Sequence, residues 1–142
     1  MEKQSDLETR IALLESREEI KELTARYCWH VVRGEGRAVS ELYVPDGAFE
    51  IPSEGKRLRF EGREAIANRL AALTPAKEVP IVACHIIEID GDEASATCAM
   101  RNTPASGTLL VGFYYDKFRR ENGKWYFAER RWFTYVPNFA VG

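Results

Sequence analysis

The segment from Val111 to Phe133, VGFYYDKFRRENGKWYFAERRWF, constrains the fold more than any other part of this chain. Two aromatic-rich runs of strand length flank Glu121-Asn122-Gly123, and Asn-Gly is the dipeptide that best tolerates the positive φ angles of a tight hairpin turn. The segment therefore reads as one long β-hairpin. It marks a fold and does not by itself mark chemistry.

With 142 residues, 45% of them apolar, the chain is long enough for one core and too short for two ordinary domains. A single domain over 1–142 is expected, with a short N-terminal helix at about 6–14 and a core over about 16–136. The formal charge of −2 arises from 20 basic and 22 acidic residues mixed along the chain. No basic stripe points to nucleic acid or to an anionic membrane. Cys28, Cys84 and Cys98 are odd in number and lack C-x-x-C spacing, which reads as free thiols in a reducing cytosol. No apolar targeting stretch follows Met1, and no apolar run approaches the roughly 20 residues that cross a bilayer. A cytoplasmic location is expected.

Leu7, Ile11 and Leu14 recur at helical spacing, and Ser16-Arg17-Glu18-Glu19 forms an S-x-x-E capping box that would restart the helix. In the second helix Ile20, Leu23, Tyr27 and Val31 form one apolar stripe, and Gly34 to Gly36 supply the stop. A brief helix over Arg37 to Tyr43 ends at Pro45-Asp46-Gly47. Extended structure starts at Ala48 to Ile51, turns at Ser53 to Lys56 and returns over Arg57 to Glu61. Gly62 to Leu73 is a further helix, closed by Thr74-Pro75.

Val79 to Ile89 is β-branched and apolar, Gly91-Asp92 is a turn, and Ala94 to Asn102 alternates as the return strand. With the opening hairpin this makes a block of four strands. Helices dominate the first half and antiparallel strands the second, an α+β pattern.

RYCWHVV, LYVPDGAFE, EGREAI, IIEIDGDEASA and YYDKFRRENGKWYFAERR occur in this order. That succession resembles the SnoaL-like branch of the nuclear transport factor 2-like superfamily over about Leu14 to Phe133. The resemblance implies a cone: a curved antiparallel sheet, of the cystatin-like α+β barrel type, wrapped around a long N-terminal helix with an apolar pocket at one end. Relatives include polyketide cyclases, scytalone dehydratase, steroid isomerases, a bile-acid dehydratase and a hexachlorocyclohexane dehydrochlorinase, while others only bind or assemble. Function has to be argued from the pocket residues.

Relatives that eliminate water or halide pair an aspartate near the end of the long helix with a histidine from the sheet. Tyr27 matches the family's R-Y tyrosine, and a phenol in an apolar pocket can polarise a carbonyl; packing in the core is the alternative. The family aspartate falls five residues further on, at Val32, which cannot ionise. A one-residue slip gives Arg33, so the carboxylate is missing either way. His30, one turn past Tyr27, is a candidate replacement base, against the alternative of a boundary residue. His85 lies in the strand that supplies the family histidine, but counting from Gly91-Asp92 aligns that histidine with Pro80 and a frequent asparagine with Cys84. His85 then has opposite parity and faces away, unless a β-bulge restores it.

Tyr27, His30 and His85 are thus the catalytic candidates, and Val31, Val32, Cys84, Met100, Asn102, Tyr114 and Arg130 the candidate pocket residues. Tyr114 and Asp116 match the family's Y-x-D pattern and Arg130 the arginine after W-x-x-x-E, which makes an Asp116–Arg130 cross-strand pair plausible as a brace. Glu50, Phe113, Tyr115 and Phe127 are further lining candidates. No metal or nucleotide motif is present, so no cofactor is expected. The expected function is a cofactor-independent lyase, isomerase or cyclase acting on a small hydrophobic cyclic or aromatic molecule. Val32 keeps open a binding protein without turnover, and Trp29, Trp132 and Phe133 keep open an assembly module. A homodimer or homotrimer is expected, with neither nucleic acid nor membrane as partner.

Overall fold

The computed structural model describes residues 2–135, so the expected core boundary at 136 lies outside the described residues. The first element, α1 (Glu2–Arg33), is one unbroken helix. The restart expected at Ser16 does not occur. Ser16 is buried, and its Oγ accepts a hydrogen bond from Arg120 Nη1 at 3.4 Å, so a tertiary contact uses the hydroxyl that would otherwise cap. Leu7, Ile11 and Leu14 stay exposed, while the stripe Ile20, Leu23, Tyr27 and Val31 is buried. The helix stops at Gly34, whose φ is +75°. Its N–H donates to Val31 O at 3.0 Å and the next N–H, of Glu35, donates to His30 O at 2.9 Å, the two bonds of a Schellman cap.

There follow α2 (Gly36–Ser40), β1 (Tyr43–Ser53), β2 (Lys56–Glu61), α3 (Arg63–Leu70), β3 (Pro80–Asp90), β4 (Glu93–Asn102), β5 (Leu110–Glu121) and β6 (Lys124–Thr134). The predicted start of β1 at Ala48 is too late, because Tyr43 already pairs with Phe127 and the Pro45-Asp46-Gly47 stretch forms an irregularity inside the strand. The α3 helix is shorter than predicted and ends at Leu70.

The strands form one six-stranded sheet in the order β2-β1-β6-β5-β4-β3. A wholly antiparallel sheet was expected, but β1 and β6 run parallel and the sheet is mixed. Their connection contains β2, α3 and the strands β3 to β5, long enough to bring the chain back in the same direction. The β5–β6 hairpin turns at Asn122 (φ +51°) and Gly123 (φ +78°), the two positive φ angles that Asn-Gly was read to supply.

The long helix lies across the concave face. Arg17 Nη1 donates to Ile87 O of β3 at 2.8 Å, Trp125 N of β6 donates to Glu19 Oε1 at 3.0 Å, and the Tyr27 and Phe127 rings meet edge to face at 5.7 Å. Two bulges then decide which side chains reach this interior. In β3, Cys84 and Ile86 are exposed while Ile87 is buried, because Cys84 and His85 together stand opposite Cys98. In β6, Ala128 is the extra residue between the Phe127 and Glu129 pairings, so Phe127 and Arg130 both face inward. Without it, parity would send Glu129 and Arg131 into the core instead of Arg130.

Candidate functional site

Between the last turns of α1, the end of α3 and the concave face of the sheet lies a cavity of about 260 Å³. Tyr27 and Val31 of α1, Phe49 and Ile51 of β1, Met100 of β4 and Tyr114 of β5 form most of its wall. Trp132, Leu70 and Leu73 add to it. These side chains point inward for a simple reason: each occupies the inward parity of its strand or the buried stripe of its helix.

Few polar groups enter this wall, and one of them is firmly held. Asn102 ends β4, accepts from Val79 N at 2.9 Å through Oδ1 and donates to Glu78 Oε2 at 2.7 Å through Nδ2. Glu78 is thereby fixed on the cavity wall, with Lys77 and Arg69 beside it at the α3 side. The Glu78 carboxylate, Lys77 and Arg69 had not been read from the sequence. Their signal was slight: Asn102 is a polar residue at the inward-facing end of a strand, where it needs a partner from the segment leading into the paired Pro80.

Beneath the two tyrosines is a polar layer. Asp116 Oδ1 and Arg130 Nε are 3.1 Å apart, both side chains wholly buried, which bears out the predicted cross-strand pair. The contact is an ion pair by distance without hydrogen-bond alignment, and both carboxylate oxygens and the guanidinium Nε and Nη1 lack hydrogen-bond partners. Arg130 Nη2 approaches Cys98 Sγ at 3.8 Å. The guanidinium carbon lies 3.4 Å from the Tyr114 ring centroid, 4.3 Å from that of Tyr27 and 4.9 Å from that of Phe127. A buried cation is thus enclosed by aromatic faces, whose negative quadrupoles favour it.

Burial pushes the Asp116 carboxyl up to about 7 against the pull of Arg130. Burial also pushes the Tyr27 phenol up to about 12, again opposed by Arg130, so at neutral pH Tyr27 is a proton donor and not a base. Burial raises the Cys98 thiol to about 11, which leaves it protonated. Although burial disfavours its charge, Asp116 and the neighbouring tyrosines hold Arg130 above the usual arginine range.

The bulge in β3 turns His85 toward α1, correcting the expectation that it faces away. Its Nε2 lies 2.9 Å from Thr24 Oγ1, and Thr24 Oγ1 also donates to Lys21 O at 2.8 Å. The hydroxyl has one proton and gives it to the Lys21 carbonyl, so His85 Nε2–H donates to Thr24 and Nδ1 keeps its lone pair. Burial, then the charges of Arg130 and Lys21, depress the His85 pKa, and the ring is neutral at pH 7. His85 does not, however, line the cavity.

Other predicted residues are placed elsewhere. His30 stands on a different flank, its Nδ1 3.2 Å from Glu35 Oε1, beside Arg26 and Glu41 and away from the Tyr27 cavity. Val32 contributes its carbonyl, which accepts from Ala76 N at 2.7 Å, and its side chain is not part of the wall. Cys84, expected in the pocket, is exposed because it is the bulged residue at φ +60°. Arg130 lies under the wall. Val31, Pro80, Met100, Asn102 and Tyr114 line the cavity. Phe127 is core, while Phe113 and Tyr115 belong to an aromatic cluster with Phe133 at odd, outward positions of β5. Glu50 pairs with Arg57 at 2.6 Å, outside the cavity.

A depression of about 370 Å³ on the outer face of the sheet, beside Thr97, Tyr115 and Lys117, is bordered by charged side chains, among them Arg131 and Glu129 at 3.3 Å. It lacks the desolvated tyrosines and the fixed amide of the inner cavity. Among the described residues no group of three or more histidines, cysteines and carboxylates could hold a metal ion, and no helix is long and apolar enough to cross a membrane.

A model of the SnoaL-like domain matches residues 12–131. An NTF2-like protein with a cystatin-like fold from Novosphingobium aromaticivorans is 31% identical, with 96% of this chain and 92% of that one covered at a TM-score of 0.81. A Mycobacterium tuberculosis protein of unknown function is 25% identical over 86% of this chain and 73% of that one, with a TM-score of 0.73. A hexachlorocyclohexane dehydrochlorinase shares the fold at 17% identity, with 89% of each chain covered and a TM-score of 0.72. No curated protein matches the sequence.

Proposed function

The chain belongs to the SnoaL-like domain family, and on that premise we propose that its inner cavity takes a small hydrophobic ring-bearing molecule and moves a proton on it without a cofactor, as a lyase or isomerase. One observation carries the reading: the phenol of Tyr27, kept protonated and backed by the buried Arg130, shares an apolar cavity with the fixed carboxylate of Glu78. Tyr27 donates a hydrogen bond to a substrate oxygen, and the positive charge behind its ring favours the transfer of negative charge toward the phenol. Glu78 accepts the proton released next to that oxygen, the task for which relatives use an aspartate at the position of Val32. A carboxylate that keeps a hydrogen bond from Asn102 remains oriented while it does so.

The test is deuterium exchange at the acidic C–H positions of 2-tetralone, followed by NMR. Exchange above the buffer rate, reduced about 100-fold or more in Tyr27→Phe and in Glu78→Gln, is the expected result. A wild-type protein that binds the ketone saturably and leaves its exchange at the buffer rate would sink the catalytic reading. The second reading, binding without turnover, would then stand; it is favoured by Val32 and Pro80 at the two positions where relatives have acid and histidine. The fold neighbour that is a dehydrochlorinase supports the first reading only as a precedent for the scaffold.

A further inference from the structure

The cavity wall carries two cations and one carboxylate, and the carboxylate is already engaged. Glu78 accepts the Asn102 amide at 2.7 Å. Arg69, in the last turn of α3, and Lys77, in the segment leading to β3, have no carboxylate within ion-pair distance among the described residues. Elsewhere on the cone Arg57 and Arg59 are paired with Glu50, Arg119 with Asp46 and Arg120 with Asp92. Arg69 is held instead over the Phe60 ring at 5.5 Å, and Lys77 Nζ makes one hydrogen bond, to Ala72 O at 3.3 Å, which leaves two of its protons free. The interior wall beyond them is aromatic and aliphatic. It includes Trp132, whose buried indole N–H has no acceptor.

From this arrangement we infer that the ligand of the cavity is an amphipathic carboxylate: a mono- or bicyclic apolar body seated against Tyr27, Met100, Tyr114 and Trp132, with its carboxylate at the mouth between Arg69 and Lys77. The inference rests on the proposed use of this cavity and names the class of molecule that enters it. An apolar body removes wall surface from water without needing hydrogen bonds, and about 260 Å³ accommodates one or two rings and little more. The charge stays where water still reaches it, so the carboxylate is recognised without a full desolvation penalty. Placing it deeper would set it against the carboxylate of Asp116, whereas at the mouth the two cations outnumber the one carboxylate, Glu78, whose Oε2 is already engaged by Asn102. The preference comes from position: Arg69 lies in the last turn of α3 and Lys77 in the segment between α3 and β3, and both line the same cavity.

Isothermal titration of 1-naphthoate and of its uncharged isostere 1-naphthamide separates the two parts of this argument. The wild-type protein is expected to bind naphthoate about tenfold tighter, the effect of roughly 1.4 kcal/mol, and to lose that advantage as salt is raised. Arg69→Gln and Lys77→Gln, both exposed and outside the core, are each expected to lower the ratio by about threefold, and the double variant to bring it to unity with naphthamide affinity unchanged. Equal binding of the two probes by the wild-type protein overturns the carboxylate inference and leaves the apolar pocket standing. A naphthoate preference that survives in the double variant overturns the assignment to Arg69 and Lys77. If neither probe binds at millimolar concentration, or if both bind unchanged in Val31→Trp, which fills the cavity, the pocket reading falls as well.

Discussion

The guanidinium of Arg130 rests on the face of Tyr114, its central carbon 3.4 Å from the ring centroid, with Arg130 wholly buried and Tyr114 nearly so. A desolvated contact of this kind is worth about 2 kcal/mol or more. Together with the Asp116 ion pair at 3.1 Å it explains how a cation persists at the centre of an apolar cone.

Breaking that pair is expected to cost far more than replacing it. Arg130→Met leaves the Asp116 carboxyl without its counter-charge, and a loss of about 3–5 kcal/mol in urea denaturation is the expected outcome. The double variant Asp116→Leu, Arg130→Met is expected to recover most of this loss, because no uncompensated charge remains. A double variant as unstable as the single one would show that the layer holds the sheet together through geometry and not through charge balance.

Stability is expected to fall with rising pH because of Asp116, opposite to the usual behaviour of aspartate. Its folded pKa, about 7, lies above the ordinary value of 3.8, so between these limits the folded protein binds the proton that the unfolded chain has released. The contribution is present in full below pH 4 and disappears as pH rises through 7, with a slope of up to about 1.4 kcal/mol per pH unit for one proton. The difference between wild type and Asp116→Asn isolates it. A difference that does not vary between pH 4 and 7 would place Asp116 among ordinary ionised carboxylates.

His85 contributes in the other direction. Its folded pKa is depressed by burial, so its contribution is present above the ordinary histidine value and is lost as acid protonates the ring. Nitrogen NMR at pH 7 is expected to show the Nε2–H tautomer donating to Thr24. Thr24→Val should release this preference and cost about 1 kcal/mol. An Nδ1–H tautomer in the wild type would reverse the assigned hydrogen bond.

Gly112 tests the packing of the hairpin. A Cβ added there would clash with the Phe133 carbonyl oxygen, so Gly112→Ala must push β5 and β6 apart. A loss of about 1–3 kcal/mol is expected in thermal unfolding. Gly123→Ala meets open space and is strained only by its φ of +78°, so a smaller loss, about 1 kcal/mol, is expected.

Much of the architecture was legible because it depends on local signals. The buried stripe Ile20-Leu23-Tyr27-Val31 follows from helical period, and the β5–β6 turn follows from the φ tolerance of Asn122-Gly123. The Asp116–Arg130 pair was legible as well, since both residues match motifs of the resembled family. Ser16 misled because a capping signature does not reveal that a tertiary partner, Arg120, will use the hydroxyl. His85 and Cys84 misled because strand parity was counted without the bulge, which exchanged their faces.

The sequence by itself determined the α+β class, the long helix, the hairpin and the inward placement of Tyr27, Met100, Asn102 and Tyr114. All of these rest on periodicity, on turn chemistry or on short motifs. Only the tertiary structure decided the parallel pairing of β1 with β6 and the parity changes at Cys84–His85 and Ala128. It also brought Arg69, Lys77 and Glu78 to the mouth of the cavity. The reason is physical: an extra residue in a strand costs little locally, yet it reverses every side chain beyond it. Which residues then share a cavity depends on contacts between segments dozens of residues apart.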